Sequence, residues 1–206
     1  MIRRVIALLT RSDERPISQR DLVRIALIET ALLVLLAVTL IALGRVLTCT
    51  CGTVALWAGD IYSAENSQQL ADPYTVTHVT HGMLFYGATR LLWPRSPLPA
   101  RLTLAIIVEV AWEALENSPL IIDRYRETTV ALGYYGDSVL NSVGDVLFCI
   151  LGFALASRIT GRANILAVVM TELVLLLWIR DNLTLNVLML LYPVPAIRAW
   201  QLAAAP

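Results

Sequence analysis

Long apolar runs separated by short polar segments constrain the fold of this chain more than any other feature. Runs lie at about residues 22–46, 78–93, 102–120, 138–157 and 163–179. A helix of about 20 apolar residues crosses the ~30 Å hydrocarbon core of a bilayer. Hydrophobic residues make up 57% of the chain, against about 45–50% in soluble domains, and they fall in these runs. We therefore predict an all-α, polytopic transmembrane helix bundle of about six spans, in which the last run, residues 183–194, forms a short helix or a re-entrant segment.

Arginine placement predicts the orientation of this bundle. All 16 basic residues are arginines, and positive residues in short loops mark the cytoplasmic side. With six spans, the basic N-terminal tail (residues 1–21), the 95–101 loop, the 158–162 turn and Arg198 share that side. Residues 22–200 then form one transmembrane domain with an extracytoplasmic segment at 48–77. Arginines 124, 126 and 180 fall on the opposite side beside acidic residues, so we interpret them as paired or functional.

Two cysteines lie in the segment predicted to be extracytoplasmic, where disulfides are allowed. A bridge between Cys49 and Cys51 would close a strained small ring, and a bound metal, an intermolecular bond or free thiols are the alternatives. The formal net charge is zero, which gives no reason to propose nucleic acid as a partner.

Ionisable residues form stripes on three of the predicted spans. A charge at the bilayer centre costs about 2.5–3.5 kcal/mol on insertion scales, so several of them indicate a use. Residues three and four apart share a helix face, and alternating topology brings the stripes together in the outer half of the membrane. The stripes are His78 and His81 on the second span; Glu109, Glu113, Glu116 and Asn117 on the third; and Asp137, Asn141 and Asp145 on the fourth.

Three chemistries fit these stripes. The first is a divalent metal such as zinc held by His78, His81 and Glu116. The second is acid–base catalysis, in which neighbouring carboxyl groups separate each other's pKa values. The third is recognition of an anionic lipid head group by arginine and histidine, without a reaction. The structural alternative is that the same groups form interhelical hydrogen bonds. The predicted catalytic residues are Glu113, Glu116, Asp137, Asn141 and Asp145, and the predicted substrate-binding residues are Asp123, Arg124, Arg126 and Asp181.

Several longer segments resemble a known family. Residues 48–52 (TCTCG), 63–68 (SAENSQ), 74–86 with its two histidines, 109–126, 134–145 and 180–190 are similar to the DUF2585 (UPF0314) family, over nearly the whole chain from about residue 45. That resemblance implies a multi-pass protein of the bacterial inner membrane and implies no activity.

Two fainter likenesses concern the polar residues. The order His81, then Glu113 or Glu116, then Asp137, Asn141 and Gly144 is similar to VanZ-like membrane proteins. Residues 141–145 (NSVGD) resemble a stretch of lipoprotein signal peptidases, which would imply an aspartyl pair of Asp145 with Asp123 or Asp181. Both are analogies over a few residues.

The leading hypothesis is a hydrolase or transferase that acts on a lipid-linked ester or phosphate in a periplasm-facing pocket. The first alternative is a non-enzymatic accessory subunit or assembly factor of a larger membrane complex. The second is a small transporter of protons or metal ions, which would need polar residues through the full membrane depth. In every case the lipid bilayer is the surrounding partner.

Overall fold

The computed structural model describes residues 18–203, and every regular element in this range is a helix. This range contains no strand, which confirms the predicted all-α class. Most of the predicted N-terminal tail, residues 1–17, lies outside the described residues. The helices are α1 (Gln19–Ala42), α2 (Thr75–Leu92), α3 (Leu98–Glu116), α4 (Pro119–Thr128), α5 (Val139–Ala156), α6 (Gly161–Ile179), α7 (Leu183–Leu191) and α8 (Pro195–Leu202).

Local sequence signals set where most of these helices begin. The first amide groups of a helix have no intrahelical acceptor, and a side-chain oxygen at the N-cap supplies one. Ser18, Ser138, Thr160 and Asn182 accept such bonds at the starts of α1, α5, α6 and α7. Proline occupies the first turn of α3, α4 and α8, where its missing N–H costs nothing. Caps and prolines therefore divide the chain close to the boundaries predicted from the apolar runs.

Three helices in the described part of the chain are long and apolar enough to cross a membrane, namely α1, α5 and α6. The first and third are only 17% buried in their most apolar windows, whereas α5 is 56% buried. Exposed Leu35 and Val38 on α1 and Leu177 on α6 present apolar surface outward, as lipid-facing helices do. The crossing of α2 and α3, the count of about six spans and the cytoplasmic N-terminus stay predictions.

The end of the described chain folds back beside the connection that follows α3. At 1.5 Å per residue, the nine residues of α7 extend about 13 Å, too short to cross the hydrocarbon core. In α8, Arg198 Nη2 lies 3.4 Å from the Arg126 carbonyl oxygen, and Gln201 Nε2 lies 3.1 Å from Asp181 Oδ1. The prediction that places Arg198 with the 95–101 loop is therefore wrong, because α3 separates that loop from α4 by about 28 Å. The short helix predicted for residues 183–194 is present as α7, and its re-entrant course stays a prediction.

The centre of the bundle is the pair α2 and α5, with α3 against both and α1 packed on α3. The Tyr86 and Phe153 rings meet edge to face between α2 and α5, with centroids 5.4 Å apart. Leu36 and Leu40 of α1 are fully buried in the same apolar cluster, as is Ile106 of α3. The three helices that carry the polar stripes of the sequence, α2, α3 and α5, thus contact one another.

Between α1 and α2, residues 43–74 form an irregular segment that covers the N-terminus of α5. The amides of Val139 and Leu140 donate to the carbonyls of Val46 and Leu47 at 2.8 and 3.1 Å. These bonds satisfy amide groups that the first turn of a helix leaves without partners. The segment contains a Cys49–Cys51 disulfide. Its position over α5 brings several of its residues into the candidate site.

Candidate functional site

Both histidines project from the first half of α2 onto one carboxylate of α3. His78 Nδ1 lies 2.7 Å from Glu109 Oε1, and His81 Nδ1 lies 3.0 Å from Glu109 Oε2. Glu109 is completely buried, and the two imidazole rings stand edge to face with centroids 5.1 Å apart. A carboxylate at Nδ1 fixes the proton there and leaves Nε2 of a neutral imidazole with its lone pair. Glu109 therefore orients both rings.

Two further carboxyl groups approach His78 from neighbouring helices. Glu113, one turn after Glu109, places Oε1 at 3.3 Å from His78 Nδ1. Asp145 on α5 places Oδ2 at 3.8 Å from His78 Nε2. Within residues 18–203, neither Glu113 oxygen nor Asp145 Oδ1 has a hydrogen-bond partner. Buried carboxyl oxygens normally have partners, so this cluster has spare capacity to bind a cation or a proton.

The predicted residue Asp137 sits in a separate hydrogen-bonded group at the start of α5. Its Oδ2 accepts from Asn117 Nδ2 at 2.7 Å, and its backbone N–H donates to Asn117 Oδ1 at 2.7 Å. The Tyr134 hydroxyl donates to the same carboxyl at 3.0 Å. Burial raises the pKa of Asp137 to about 6, although the bonds from Asn117 and Tyr134 act in the opposite direction. Burial therefore outweighs these hydrogen bonds in setting the pKa of Asp137.

The irregular segment supplies Asp72 and Tyr74, which the sequence reasoning did not select. Asp72 accepts hydrogen bonds from the amides of Ser67 and Tyr74, each at 2.8 Å, just before α2 begins. The Tyr74 hydroxyl donates to Asp181 Oδ2 at 3.1 Å. The signal was present, because an aspartate two or three residues before a helical run is typical of a helix start. Predicted residue Asn141 also serves this segment, since its Nδ2 donates to the Gln69 carbonyl at 2.9 Å.

These groups surround a cavity of about 570 Å³, here called the acid–histidine cavity. Both histidines reach it, together with five carboxyl groups: Asp72, Glu109, Glu116, Asp137 and Asp145. Neither arginine nor lysine occurs among the described residues that line it. One side is apolar, and there Leu84, Val108 and Val187 are each more than 40% exposed. The cavity thus has an acidic interior and an apolar opening on the outer face of the bundle.

The remaining predicted site residues lie outside this cavity. Arg124 Nε donates to the Leu190 carbonyl at 2.8 Å and ties α4 to α7. Arg126 lies 3.7 Å from Asp123 at the surface. Asp181 contacts two residues that line the cavity, Tyr74 at 3.1 Å and Asn186 at 3.4 Å, and burial raises its pKa to about 6. The structure therefore brings together the predicted catalytic and metal residues but not the predicted substrate-binding residues.

Among residues 18–203, two groups of side chains could hold a metal ion, and they share His78. In each group the ligand atoms lie within 4.8 Å of one another: His78, His81 and Glu109 in one; His78, Glu113 and Glu116 in the other. The set predicted from sequence, His78, His81 and Glu116, combines members of both. Imidazole with carboxylate is a ligand combination that zinc and other transition metals accept, so the chemistry of the residues fits such an ion.

Known proteins similar to this chain align with most of its length. Residues 40–203 match the family described as a protein of unknown function, DUF2585. The chain belongs to this family. A UPF0314 protein of Sphingopyxis alaskensis is 54% identical over 175 residues, which cover 85% of this chain and 93% of that protein. The UPF0314 protein of Paracoccus denitrificans is 52% identical over 171 residues, which cover 83% and 89%. No solved structure matches the DUF2585 chain described here.

Proposed function

We propose that this DUF2585 protein is a bacterial inner-membrane hydrolase or transferase that acts on a lipid-linked ester or phosphate at a divalent metal. The acid–histidine cavity carries the proposal, because two oriented imidazoles and several carboxyl groups converge there beside an apolar opening. A volume of about 570 Å³ falls in the range of small-molecule sites. The proposed membrane arrangement has five crossing helices, α1, α2, α3, α5 and α6, with the N-terminus in the cytoplasm and α7 re-entrant.

The charge of the cavity argues for a bound cation. Five carboxyl groups cannot all be ionised in a buried space without strong mutual repulsion. An ester or phosphate would meet the same repulsion, because its reaction develops negative charge on oxygen. A divalent ion would reduce the repulsion among the carboxyl groups and the repulsion of the substrate. When bound, it would polarise the substrate oxygen and lower the pKa of a water molecule.

Each residue then has a distinct role. Glu109 orients the two histidines, whose Nε2 atoms are left available as ligands. Asp145, with an oxygen that lacks a partner in the described range, is placed to take a proton from the attacking water. The water oxygen forms a bond to the acyl carbon or phosphorus, the bond to the leaving alcohol oxygen breaks, and Glu113 or Glu116 returns a proton to that oxygen.

The apolar opening supports an amphiphilic substrate. Exposed Leu84 and Val108 lie on α2 and α3, and exposed Val187 lies on α7. Acyl chains that remain in the bilayer could pass between these helices while the polar head enters the cavity. A water-soluble substrate would gain nothing from an apolar edge at this depth.

Elemental analysis of the purified protein tests the metal first. We expect about one divalent transition metal per chain in the wild type, and none in the His78→Ala/His81→Ala double variant. Glu109→Gln should weaken metal affinity by about 10–100-fold, because it removes the charge that orients both imidazoles. Glu127→Gln, at an exposed acid on α4, is the matched control and should keep the metal. Wild-type protein without metal after incubation with zinc would remove the metal-dependent reaction.

The second experiment measures the hydrolysis of lipid esters and lipid phosphates in mixed micelles. His81→Ala or Glu116→Ala should abolish hydrolysis while the protein still inserts and unfolds like the wild type. Equal loss of folded protein in these variants would favour a purely structural network.

The accessory-subunit alternative is favoured by one observation, the polar bonds that join different helices. Asn164 Nδ2 of α6 donates to the Met83 carbonyl of α2 at 3.1 Å, and Thr80 of α2 meets Thr171 of α6 at 3.0 Å. Such bonds hold helices together in lipid without any reaction. If this alternative is correct, the wild-type protein should copurify with a partner from native membranes in stoichiometric amount and should contain no metal.

A further inference from the structure

A second cavity, of about 820 Å³, lies beside the acid–histidine cavity and is here called the arginine cavity. Its walls come from the chain just after α1, from the 61–68 part of the irregular segment, from α4 and from residues 130–137. Asn66, Ala131, Tyr134 and Asp137 line both cavities. The two cavities therefore adjoin at these four residues.

Among the described residues, two arginines line this cavity, and both contact Tyr135. Arg45 Nη1 donates to the Tyr135 carbonyl oxygen, and the Arg126 guanidinium lies over the Tyr135 ring, 4.8 Å from its centroid. Gly136 makes the arrangement possible, because its φ is +91° and a Cβ there would lie 2.3 Å from Arg45 Nη1. Arg45 was not among the residues selected from the sequence, since nothing in its local pattern separates it from a loop arginine.

Both guanidinium groups retain donors that the described residues do not use. Nε of Arg45 and Nε of Arg126 are buried and have no hydrogen-bond partner within residues 18–203. Unpaired buried donors are costly, so a ligand that accepts from them would be stabilised. An arginine fork pairs best with the oxygens of a carboxylate or a phosphate.

Two aspartates, Asp123 and Asp137, also line the arginine cavity. Asp137 is occupied by its bonds to Asn117 and Tyr134. Asp123 lies 3.7 Å from Arg126, and its side chain is 64% exposed, so the pair is weak and screened by solvent. The arginine cavity therefore carries guanidinium groups that its aspartates do not pair with closely, whereas no arginine lines the acid–histidine cavity among the described residues.

We propose that the arginine cavity binds the phosphate group of a phosphomonoester, and that in the cell this group belongs to an amphiphile whose ester linkage enters the acid–histidine cavity while its acyl chains remain in the bilayer. The assignment to an amphiphile rests on the proposed function. The phosphate site itself stands on the two arginines and the cavity between them.

Calorimetric titration in neutral detergent with EDTA tests the site without any contribution from a metal. The probes are dihexanoyl phosphatidic acid, inorganic phosphate and dihexanoylglycerol, which lacks the phosphate. We expect the phosphatidic acid to bind the wild type and to bind Arg45→Gln and Arg126→Gln at least about tenfold more weakly, since each loses a charge-assisted pair. Arg126→Lys keeps the charge but loses the fork, so its affinity should fall between those of wild type and Arg126→Gln.

Two controls separate this site from general effects of charge and from the proposed metal centre. Arg95→Gln removes an exposed arginine at the other end of α3 and should change the affinity by less than about twofold. His78→Ala/His81→Ala should keep the wild-type affinity for inorganic phosphate, because this probe has no part that would enter the acid–histidine cavity, so failure of the metal reaction and failure of this site give different results. Arg126→Gln carries the test if Arg45→Gln does not fold, because the Arg126 side chain is 37% exposed.

Three results would overturn the proposal. They are no binding of phosphatidic acid by folded wild type, equal binding by Arg126→Gln, and equal binding of dihexanoylglycerol. Inorganic phosphate that binds as tightly as the lipid and displaces it would support the phosphate site and overturn its assignment to an amphiphile.

Discussion

The close contact between α2 and α5 gives the sharpest prediction about the bundle. A Cβ added at Gly82 would lie 1.9 Å from the Cys149 carbonyl oxygen and 2.6 Å from the Phe153 amide nitrogen. The obstruction is backbone, so no side chain can rotate away. Gly82→Ala must therefore move the two helices apart.

The size of this movement follows from the same distances. Ordinary van der Waals contact for a Cβ begins at 3.4 Å, so the helices must separate by about 1.5 Å at this point. Overpacking of a core typically costs about 1–3 kcal/mol, and a backbone obstruction belongs at the upper end. We expect a loss of about 3 kcal/mol, or about a hundredfold in the folding equilibrium. The separation would also widen the 3.8 Å gap between His78 Nε2 and Asp145 Oδ2 to about 5 Å.

Unfolding in mixed detergent and dodecyl sulfate micelles, followed by circular dichroism, measures the effect. Gly87→Ala on the same helix is the matched control, because a Cβ there meets only Asn164 Nδ2 at 3.9 Å. That control should unfold at the wild-type dodecyl sulfate fraction or slightly above it, since alanine favours helix over glycine by about 1 kcal/mol. Metal content and activity of Gly82→Ala should fall together with its stability.

Wild-type stability in Gly82→Ala, equal to that of Gly87→Ala, would show that α2 and α5 do not meet at this glycine. Wild-type stability in Gly152→Ala would contradict the same packing, because a Cβ at Gly152 would lie 2.0 Å from the Val79 carbonyl of α2.

Two further predictions concern pH and topology. Burial raises the pKa of Asp181 from an ordinary value near 4 to about 6, so the folded state binds more protons than the unfolded state between these pH values and stability falls as pH rises from 4 to 6. Asp181→Asn should reduce this fall in the free energy of unfolding between pH 4 and 6 by at most about 3 kcal/mol. An unchanged pH dependence of unfolding would contradict the assignment. For topology, an impermeant maleimide should label exposed Cys51 in intact cells with a permeabilised outer membrane after reduction, whereas Arg95→Cys should react only after lysis. The reverse pattern would invert the predicted orientation, and buried Cys149 should stay unlabelled in both.

Much of the helical architecture could be predicted because apolar run length and helix caps are local properties. The predicted runs at 138–157 and 163–179 agree with α5 and α6 to within one or two residues. The helix in the polar connection after the third run was harder to predict, because α4 has too few apolar residues to form a recognisable hydrophobic run. Its ten residues form a helix that starts at Pro119 and packs on α7.

The importance of individual site residues was harder to predict. Glu109, Glu113 and Glu116 share one helix face, so periodicity treats them alike. The structure separates them, since Glu109 alone bonds to both histidines. Arg45 and Asp72 were not selected because their roles depend on the path of the irregular segment, which has no periodic pattern.

The sequence by itself determined that this chain is an all-α protein with apolar helices. It also determined that the histidines share one face of their helix and that the acids of each stripe share one face of theirs. Both conclusions follow from the 3.6-residue repeat of the helix, which fixes the face of every residue within one element. Only the tertiary structure decided which faces meet, that α7 folds back, and that acidic and cationic groups occupy two neighbouring cavities. These features depend on contacts between residues far apart in the chain, such as Arg45 with Tyr135, and on the close approach of α2 and α5 at glycine, which no local pattern contains.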